Sequence, residues 1–350
     1  MVFEFDTGFP ADTVEFCPHP EATDIFVCGT YKLDENAPTD TSGSQRRRGK
    51  CLVLQVDRDA DSFKTVHEVS LPAVPDVKWC HRTAEATPAI AVADSEGNVT
   101  IFEYHVQEKK VQEMQAIRLA PPSVLSLSLD WSNRRTPTSG YGSLIVSLSN
   151  GALSLLRPDS TGLVVESTWH AHDFEPWIAA WNYWDNNVIY SGGDDLRMKG
   201  WDARAGFENP IFTNKKCDAG VTSIQSHPNL EHLLAVGSYD NTVRLFDVRK
   251  PLVPLCQTDV GGGAWRVKWH PSEKRKGDLL VACMHDGCKV VRFPVGSEKL
   301  DGDGEVVRRF DQHQSMAYGT DWSFAQEDGK EETLVASCSF YDHVLYTWRA

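Results

Sequence analysis

A segment of about 45 residues recurs along the chain, and this repeat limits the possible folds more than any other feature of the sequence. The repeating pattern is an apolar strand, a turn rich in Gly, Ser and Asp, and a second strand that in the clearest copies ends at an aromatic residue. Six turns align, with spacings of 54, 45, 45, 46 and 56 residues, at Glu96, Asn150, Asp195, Asp240, Asp286 and Asp342. A unit of this size cannot bury its own apolar face, so the copies are expected to stack and share a core.

The two clearest copies, 191–202 and 236–247, resemble WD repeats. Short runs of Val, Ile, Leu and aromatic residues alternate with turns throughout the chain, and no helical periodicity extends beyond two turns, which predicts strands. The resemblance implies an all-β fold, a single seven-bladed WD40 β-propeller. The predicted blades cover 8–60, 72–106, 121–160, 175–212, 219–255, 263–298 and 316–350.

The two ends of the chain are predicted to close the ring. The last copy ends at Trp348, the end of a third strand, so its sheet lacks a fourth. Residues 2–6 are expected to supply that strand, which would remove two exposed sheet edges. In the first blade, the polar stretch 32–49 delays the third strand, 51–57, and is predicted to be a flexible insertion.

Charge and cysteine content exclude several classes of protein. A formal net charge of -14 argues against direct binding of nucleic acid, which calls for a basic surface. The chain has no apolar run of about 18 residues for a membrane span and no signal peptide at its start, so we expect a cytoplasmic protein. Its nine cysteines include no CxxC pair and are interpreted as reduced core thiols. We expect a monomer without cofactor or metal.

The residue before each turn aspartate is predicted to face the mouth of the central channel. The turn aspartates themselves are expected to be structural. The preceding positions in the six aligned blades are Ser95, Ser149, Asp194, Tyr239, His285 and Tyr341. We interpret Asp194, Tyr239, His285 and Tyr341 as candidate catalytic residues; the alternative is that these positions are solvated or bind a protein partner.

Aromatic residues at the start of three blades are predicted to lie in the same sector of the channel mouth as these candidate residues. Three first strands contain pairs four residues apart, 177–181, 265–269 and 318–322. The inner members, Trp181, Trp269 and Trp322, are predicted to be core residues between blades. The outer members are expected to form an aromatic wall that binds a quaternary ammonium by cation–π attraction, reinforced by nearby acids: Trp177, Trp265 and Tyr318.

A cluster of polar residues precedes the fourth blade. His170, His172, Asp173 and Glu175 lie within six residues of one another. Three alternatives remain open for the histidines: a structural cap on a turn aspartate, an acid–base role and a metal site.

The C-terminal half resembles the WD-repeat diphthine methylesterase family, also called diphthine methyltransferase. The resemblance covers 172–180, 190–195, 262–271, 282–285 and 338–343. It implies hydrolysis of the methyl ester of diphthine methyl ester on translation elongation factor 2 in diphthamide biosynthesis. We also predict that His172 and Asp173 are substrate-binding residues. The trimethylammonium group of that substrate would suit the aromatic wall.

The mechanism is a hypothesis built on His285. The chain contains no Gly-x-Ser-x-Gly elbow, which disfavours serine catalysis of that kind. We predict that His285, oriented by Asp194 or Asp286, activates water or a hydroxyl group, while Tyr239 or Tyr341 stabilises the oxyanion. The competing hypothesis is a non-catalytic scaffold or substrate receptor.

Overall fold

The computed structural model describes residues 2–34, 45–57, 60, 62–296, 302–325 and 332–350. These residues form seven antiparallel sheets arranged as a β-propeller, which confirms the predicted fold. The only helical segments among them are two 3-10 turns, Pro20–Ala22 and Glu273–Arg275. No helix in this described part of the chain is long and apolar enough to cross a membrane.

Each blade is a meander of four strands, with one extra short strand in the first. Blade 1 contains β2 (Ala11–Phe16), β3 (Ile25–Thr30), β4 (Lys32–Leu33), β5 (Arg47–Asp57) and β6 (Ser62–Pro72). Blade 2 contains β7 (Asp76–Cys80), β8 (Ala89–Ala93), β9 (Asn98–His105) and β10 (Lys110–Arg118). Blade 3 contains β11 (Ser126–Trp131), β12 (Leu144–Leu148), β13 (Ala152–Asp159) and β14 (Gly162–His170).

The remaining blades follow the same order from the channel outward. Blade 4 contains β15 (Ile178–Trp181), β16 (Val188–Gly192), β17 (Met198–Asp202) and β18 (Phe212–Asn214). Blade 5 contains β19 (Val221–Ser226), β20 (Leu233–Ser238), β21 (Thr242–Asp247) and β22 (Pro254–Asp259). Blade 6 contains β23 (Arg266–Trp269), β24 (Asp278–Ala282), β25 (Cys288–Arg292) and β26 (Glu305–Phe310). Blade 7 contains β27 (Ala317–Trp322), β28 (Leu334–Ser339), β29 (Val344–Arg349) and β1 (Phe3–Asp6).

The N-terminal strand closes the ring, as predicted. β1 pairs with β29, with Phe3 opposite Thr347 and Asp6 opposite Val344. The rings of Phe3 and Phe5 pack on Phe63 of blade 1, at centroid distances of 5.0 and 5.5 Å. The strand therefore completes blade 7 and also contacts blade 1.

The core lies between the blades rather than within them. Seven clusters of buried apolar side chains each join two neighbouring blades, and one of them joins blade 7 to blade 1. Inner-strand tryptophans reinforce these interfaces: the Trp181 indole N–H donates to the Asp130 carbonyl at 3.1 Å, and that of Trp322 to the Lys268 carbonyl at 3.0 Å. Trp269 is also buried, so all three inner aromatics are core residues as predicted.

The strand boundaries differ from the prediction in two respects. The outermost strands β6, β10, β14 and β26 lie almost entirely outside the predicted blades, because their largely exposed, polar sequences lack a strong strand pattern. In blade 1, β5 begins at Arg47 and pairs with Lys32–Leu33, so the ends of the predicted insertion 32–49 form strands. The centre of that insertion, 35–44, lies outside the described residues.

Candidate functional site

Every blade contributes one residue at the start of its inner strand to the lining of a pocket of about 390 Å³ at one mouth of the channel. In four blades the register of the inner strand shifts at this residue, and such a bulge re-aims the side chain. In the other three blades the residue directly precedes the inner strand. The ring consists of Asp12, Pro75, Leu127, Trp177, Thr222, Trp265 and Tyr318.

One side of the pocket is an aromatic wall of Trp177, Tyr239, Trp265 and Tyr318. Trp265 lies at its centre, with ring centroids 5.4 Å from Trp177, 5.6 Å from Tyr239 and 4.9 Å from Tyr318. Trp177 and Trp265 come from blades 4 and 6 and meet because the residue between them, Thr222, is small. The structure thus brings together the three aromatic residues predicted at the mouth and one of the four predicted catalytic residues.

Carboxylates border the aromatic wall. The Trp177 indole N–H donates to Asp194 Oδ1 at 2.7 Å. Partial burial raises the pKa of Asp194, and the bond from Trp177 opposes that rise. Glu175 also lines the pocket. The wall is therefore combined with negative charge, the arrangement that favours an organic cation.

A second chemical group in the pocket is the pair of Asp12 and Arg266. The Asp12 side chain is buried, and this burial raises the pKa of its carboxyl to about 7, against the opposing charge of Arg266. The Arg266 guanidinium also lines the pocket and lies 3.5 Å from Asp76 Oδ1. Burial raises the pKa of the neighbouring Tyr318 phenol to about 12. An acid–base group and hydrogen-bond donors are thus present at the same mouth.

Sequence reasoning missed Asp12 and Arg266. Aligning each blade on its inner aromatic residue would have found Asp12, which precedes Phe16 by the same four residues that separate Trp265 from Trp269. A carboxylate at this position does not fit a pattern of paired aromatic residues. Arg266 directly follows Trp265 in the sequence but belongs to no sequence motif that would have identified it.

Three of the four predicted catalytic residues lie outside the residues that line this pocket: Asp194, which borders the aromatic wall, His285 and Tyr341. His285 is exposed, and no described residue forms a hydrogen bond or ring contact with it. Tyr341 is 70% exposed; its backbone N–H donates to Ser315 Oγ at 3.1 Å, and its ring packs on Phe340. Their assigned catalytic roles stay predictions.

His172 belongs to the interior of blade 4 rather than to the mouth. Its Nδ1 lies 2.9 Å from Asp195 Oδ1, and its Nε2 lies 2.7 Å from Ser191 Oγ. The Trp201 indole N–H donates to the same serine oxygen at 2.9 Å. Because the ring is fully buried and both nitrogens are engaged, the geometry favours the structural alternative over substrate binding. Blade 7 repeats part of this arrangement with His313.

The other members of the polar cluster before blade 4 have separate environments. Asp173 is exposed, forms an ion pair with Arg197 at 2.9 Å and does not line the pocket. His170 is exposed at the end of β14. Among the described residues, no group of three or more His, Cys, Asp or Glu side chains could hold a metal ion.

The turn aspartates have the predicted structural role. Asp240 Oδ2 accepts the Asp218 N–H at 2.9 Å and pairs with Arg244 at 2.8 Å. Asp342 Oδ2 accepts the Gln314 N–H at 3.0 Å, and Asp286 pairs with Arg309 at 2.8 Å. These bonds connect each turn to a neighbouring segment of the chain.

Comparisons with curated proteins identify close relatives of the chain. It is 34% identical to the diphthine methyltransferase homolog of Dictyostelium discoideum over 97% of this chain and 96% of that protein. It is 38% identical to the human diphthine methyltransferase, over 91% of this chain and 74% of that protein, and 33% identical to the Schizosaccharomyces pombe diphthine methyltransferase, over 98% and 95%. The chain belongs to the diphthine methyltransferase family.

Two further similarities concern the fold of this family member. Residues 208–247 match the model of the WD domain, G-beta repeat. A chain from the crystal structure of the mitotic checkpoint complex matches with a TM-score of 0.70 and 17% identity, covering 100% of this chain and 91% of that one. At this identity the likeness shows the propeller fold alone.

Proposed function

We propose that this protein hydrolyses the methyl ester of diphthine methyl ester on translation elongation factor 2, giving diphthine and methanol in diphthamide biosynthesis. The observation that carries the proposal is the aromatic wall centred on Trp265, bordered by Asp194 and Glu175. Membership of the diphthine methyltransferase family supports the pathway. We infer that the protein acts as a cytoplasmic monomer.

The aromatic wall suits the trimethylammonium group of diphthine. Indole and phenol faces attract a quaternary ammonium through their quadrupoles, and the attraction is strongest where water is excluded. A volume of about 390 Å³ lies within the range of small-molecule sites. A modified histidine side chain projecting from a protein surface can enter such an open mouth, whereas a large folded segment cannot.

Ester hydrolysis needs few groups besides water. A base must accept a proton from the attacking water, and donors must stabilise the oxyanion of the tetrahedral intermediate. Asp12, Arg266, Tyr239 and Tyr318 all line the pocket. The name of the relatives describes methyl transfer, so the direction of the reaction is the point to test.

The test uses elongation factor 2 that carries diphthine methyl ester, incubated with the purified chain without a methyl donor. Hydrolysis predicts the loss of one methylene mass from the factor and the release of an equal amount of methanol. Methyl transfer predicts no reaction until a methyl donor is added. Binding without any change of mass would favour a non-catalytic receptor or scaffold and contradict the proposal.

A matched pair of variants connects the reaction to the pocket. Trp265→Ala removes the centre of the aromatic wall, and we expect hydrolysis to fall strongly at limiting substrate. Phe174→Ala removes an aromatic ring that is 61% exposed and does not line the pocket. We expect this control to hydrolyse the ester at the wild-type rate.

A further inference from the structure

Asp12 differs from the other buried carboxylates of the channel because no described residue donates a hydrogen bond to it. Asp76 accepts the Leu129 N–H at 3.0 Å, Asp130 accepts the Trp181 N–H at 2.9 Å, and Asp321 accepts the Phe16 N–H at 2.9 Å. Those three carboxylates are fixed by the backbone of neighbouring strands. The carboxyl group of Asp12 instead lines the pocket and is available to water or substrate.

The register shift in β2 is what directs Asp12 to the mouth. The pairing of β2 with β3 shifts between Ala11 and Thr13, so Asp12 has no partner residue in the ladder. The equivalent residues of the neighbouring blades 7 and 2 are Tyr318 and Pro75. A buried carboxylate with no hydrogen bond is costly, so its position calls for a function.

Asp12 lies beside the Tyr318 end of the aromatic wall, because blades 7 and 1 are neighbours, and away from its Trp177 end. Asp12 belongs to blade 1, whereas Trp177 belongs to blade 4, half-way round the ring. An ester next to an ammonium group that contacts Trp265 and Tyr318 can therefore lie beside Asp12 and Arg266. In diphthine methyl ester the trimethylammonium and the methyl ester are bonded to the same carbon atom, so the two groups lie side by side.

We propose that Asp12 is the general base of ester hydrolysis in this pocket, an assignment that rests on the proposed function. The Asp12 carboxylate accepts a proton from a water molecule while the water oxygen forms a bond to the ester carbonyl carbon. The positive charge of Arg266 stabilises the resulting oxyanion. The bond from that carbon to the methoxy oxygen then breaks, and the proton on Asp12 passes to the methoxide to give methanol. The carboxylic acid product releases its proton to solvent.

Burial supports this role by adjusting the basicity of the group. A carboxyl with a pKa of about 7 is a stronger base than an ordinary aspartate and remains partly ionised at neutral pH. His285 has less geometric support because it is exposed and does not line the pocket. Asp194 accepts the Trp177 indole N–H and borders the aromatic wall.

The experiment compares Asp12→Asn with the wild type in single-turnover hydrolysis of diphthine methyl ester on elongation factor 2. The amide keeps the shape of the side chain but cannot take the proton, so we expect the rate to fall about 100-fold or more. Affinity for the substrate should change less than about threefold, because the aromatic wall is intact. Asp311→Asn, an exposed aspartate remote from the pocket lining, is the matched control and should react at the wild-type rate.

The pH dependence of the wild type provides a readout that a structural role would not reproduce. We expect kcat/KM to fall about tenfold per pH unit below pH 7 and to level off above it, as the base becomes protonated. The residual rate of Asp12→Asn should lack this inflection. The titratable and charged groups that face Asp12 are Arg266, Asp76, Tyr31, Tyr239, Tyr318 and Cys338.

The outcomes separate this assignment from the proposed function. Hydrolysis by the wild type together with an unimpaired Asp12→Asn variant would overturn the assignment alone. Loss of activity in His285→Ala but not in Asp12→Asn would transfer the role to His285. Absence of hydrolysis by the wild type would overturn the proposed function and the assignment with it. If Asp12→Asn does not fold, the pH profile of the wild type decides, since a profile flat between pH 5 and 8 contradicts the proposal.

Discussion

The indole rings of Trp177 and Trp265 contact each other, with centroids 5.4 Å apart, although the two residues come from blades 4 and 6. The blade between them contributes Thr222, whose hydroxyl donates to the Ala264 carbonyl at 2.6 Å and leaves space above it. A larger residue at position 222 would separate the two indoles. The aromatic wall thus depends on one small side chain as much as on the large ones.

Replacing the central ring should weaken cation binding. We expect Trp265→Ala to lower affinity for the trimethylammonium substrate about tenfold, about 1.4 kcal/mol, which lies within the range of a desolvated cation–π contact. Trp265→Phe should recover part of the loss because it keeps an aromatic face. Equilibrium titration of each variant with modified elongation factor 2 provides the measurement, and equal affinities for Trp265→Ala and the wild type would contradict a cation–π role.

Removing the charge of Asp194 should have a smaller effect that depends on salt. Asp194→Asn keeps an oxygen for the Trp177 indole N–H, so the wall should persist while one negative charge is lost. We expect affinity to fall about threefold at low ionic strength, and the difference from the wild type to shrink at about 1 M salt, where screening is short-ranged. A loss that is constant across salt concentrations would indicate a structural effect instead.

His172 is predicted to contribute stability rather than chemistry. His172→Ala leaves Asp195 and Ser191 without their ring partner inside blade 4. We expect the free energy of unfolding to fall by about 3 kcal/mol, since buried polar groups lose their hydrogen bonds. Urea unfolding measures this change, with His170→Ala, an exposed histidine at the end of β14, as the control. A fully stable His172→Ala protein that cannot bind substrate would revive the substrate-binding hypothesis.

The closing strand should be needed for stability of the whole ring. Phe5→Ala removes a half-buried ring that packs on Phe63 of blade 1. We expect a loss of about 2 kcal/mol in unfolding free energy, whereas Val2→Ala, which alters an exposed side chain, should change little. Thermal unfolding of the two variants tests this, and equal melting temperatures would argue that β1 adds nothing to the fold.

Asp12 should make the protein less stable as pH rises. Its pKa is about 7 in the folded chain and near 3.8 in the unfolded chain. Between these values the folded state binds more protons, so the free energy of unfolding falls as pH rises from about 4 to about 7 and then levels off. We expect Asp12→Asn to be more stable than the wild type at pH 8, by an amount on the order of 2 kcal/mol, and to lose this advantage near pH 4. Denaturant titrations at the two pH values measure the difference, and the same stability gap at both would contradict it.

The fold could be predicted from the sequence because one local pattern decides it. Turn residues such as Asp195 and Asp240 recur at spacings of 45 to 56 residues, and a repeat that cannot bury its own apolar face must stack. The four-residue spacing of Trp265 and Trp269 predicts one aromatic residue at the rim and one between blades. In the structure Trp265 lies at the rim and Trp269 lies between blades. Outer strands such as β14 were not predicted because one of their faces is exposed to solvent and their amino-acid composition is typical of a loop.

The turn of blade 6 explains why His285 departs from the pattern. Met284 adopts a left-handed backbone conformation, with φ of 47°, which the equivalent described residues of the other blades do not share. That conformation is unfavourable for a side chain larger than glycine and changes the direction of the next residue. A sequence alignment contains no information about this backbone conformation. The imidazole of His285 was therefore expected at the mouth of the channel.

Joining the first strand to the last also determines an order of events during synthesis. Strand β1 precedes the other described strands, so it leaves the ribosome before them and has no partner until β29, the last of them, has been made. Until then, Phe3 and Phe5 of β1 have no blade 7 to join, whereas the sheets of nearly all the other blades can already form. The ring can therefore close only after β29 has been made, and a product that stops before β29 lacks the partner of β1.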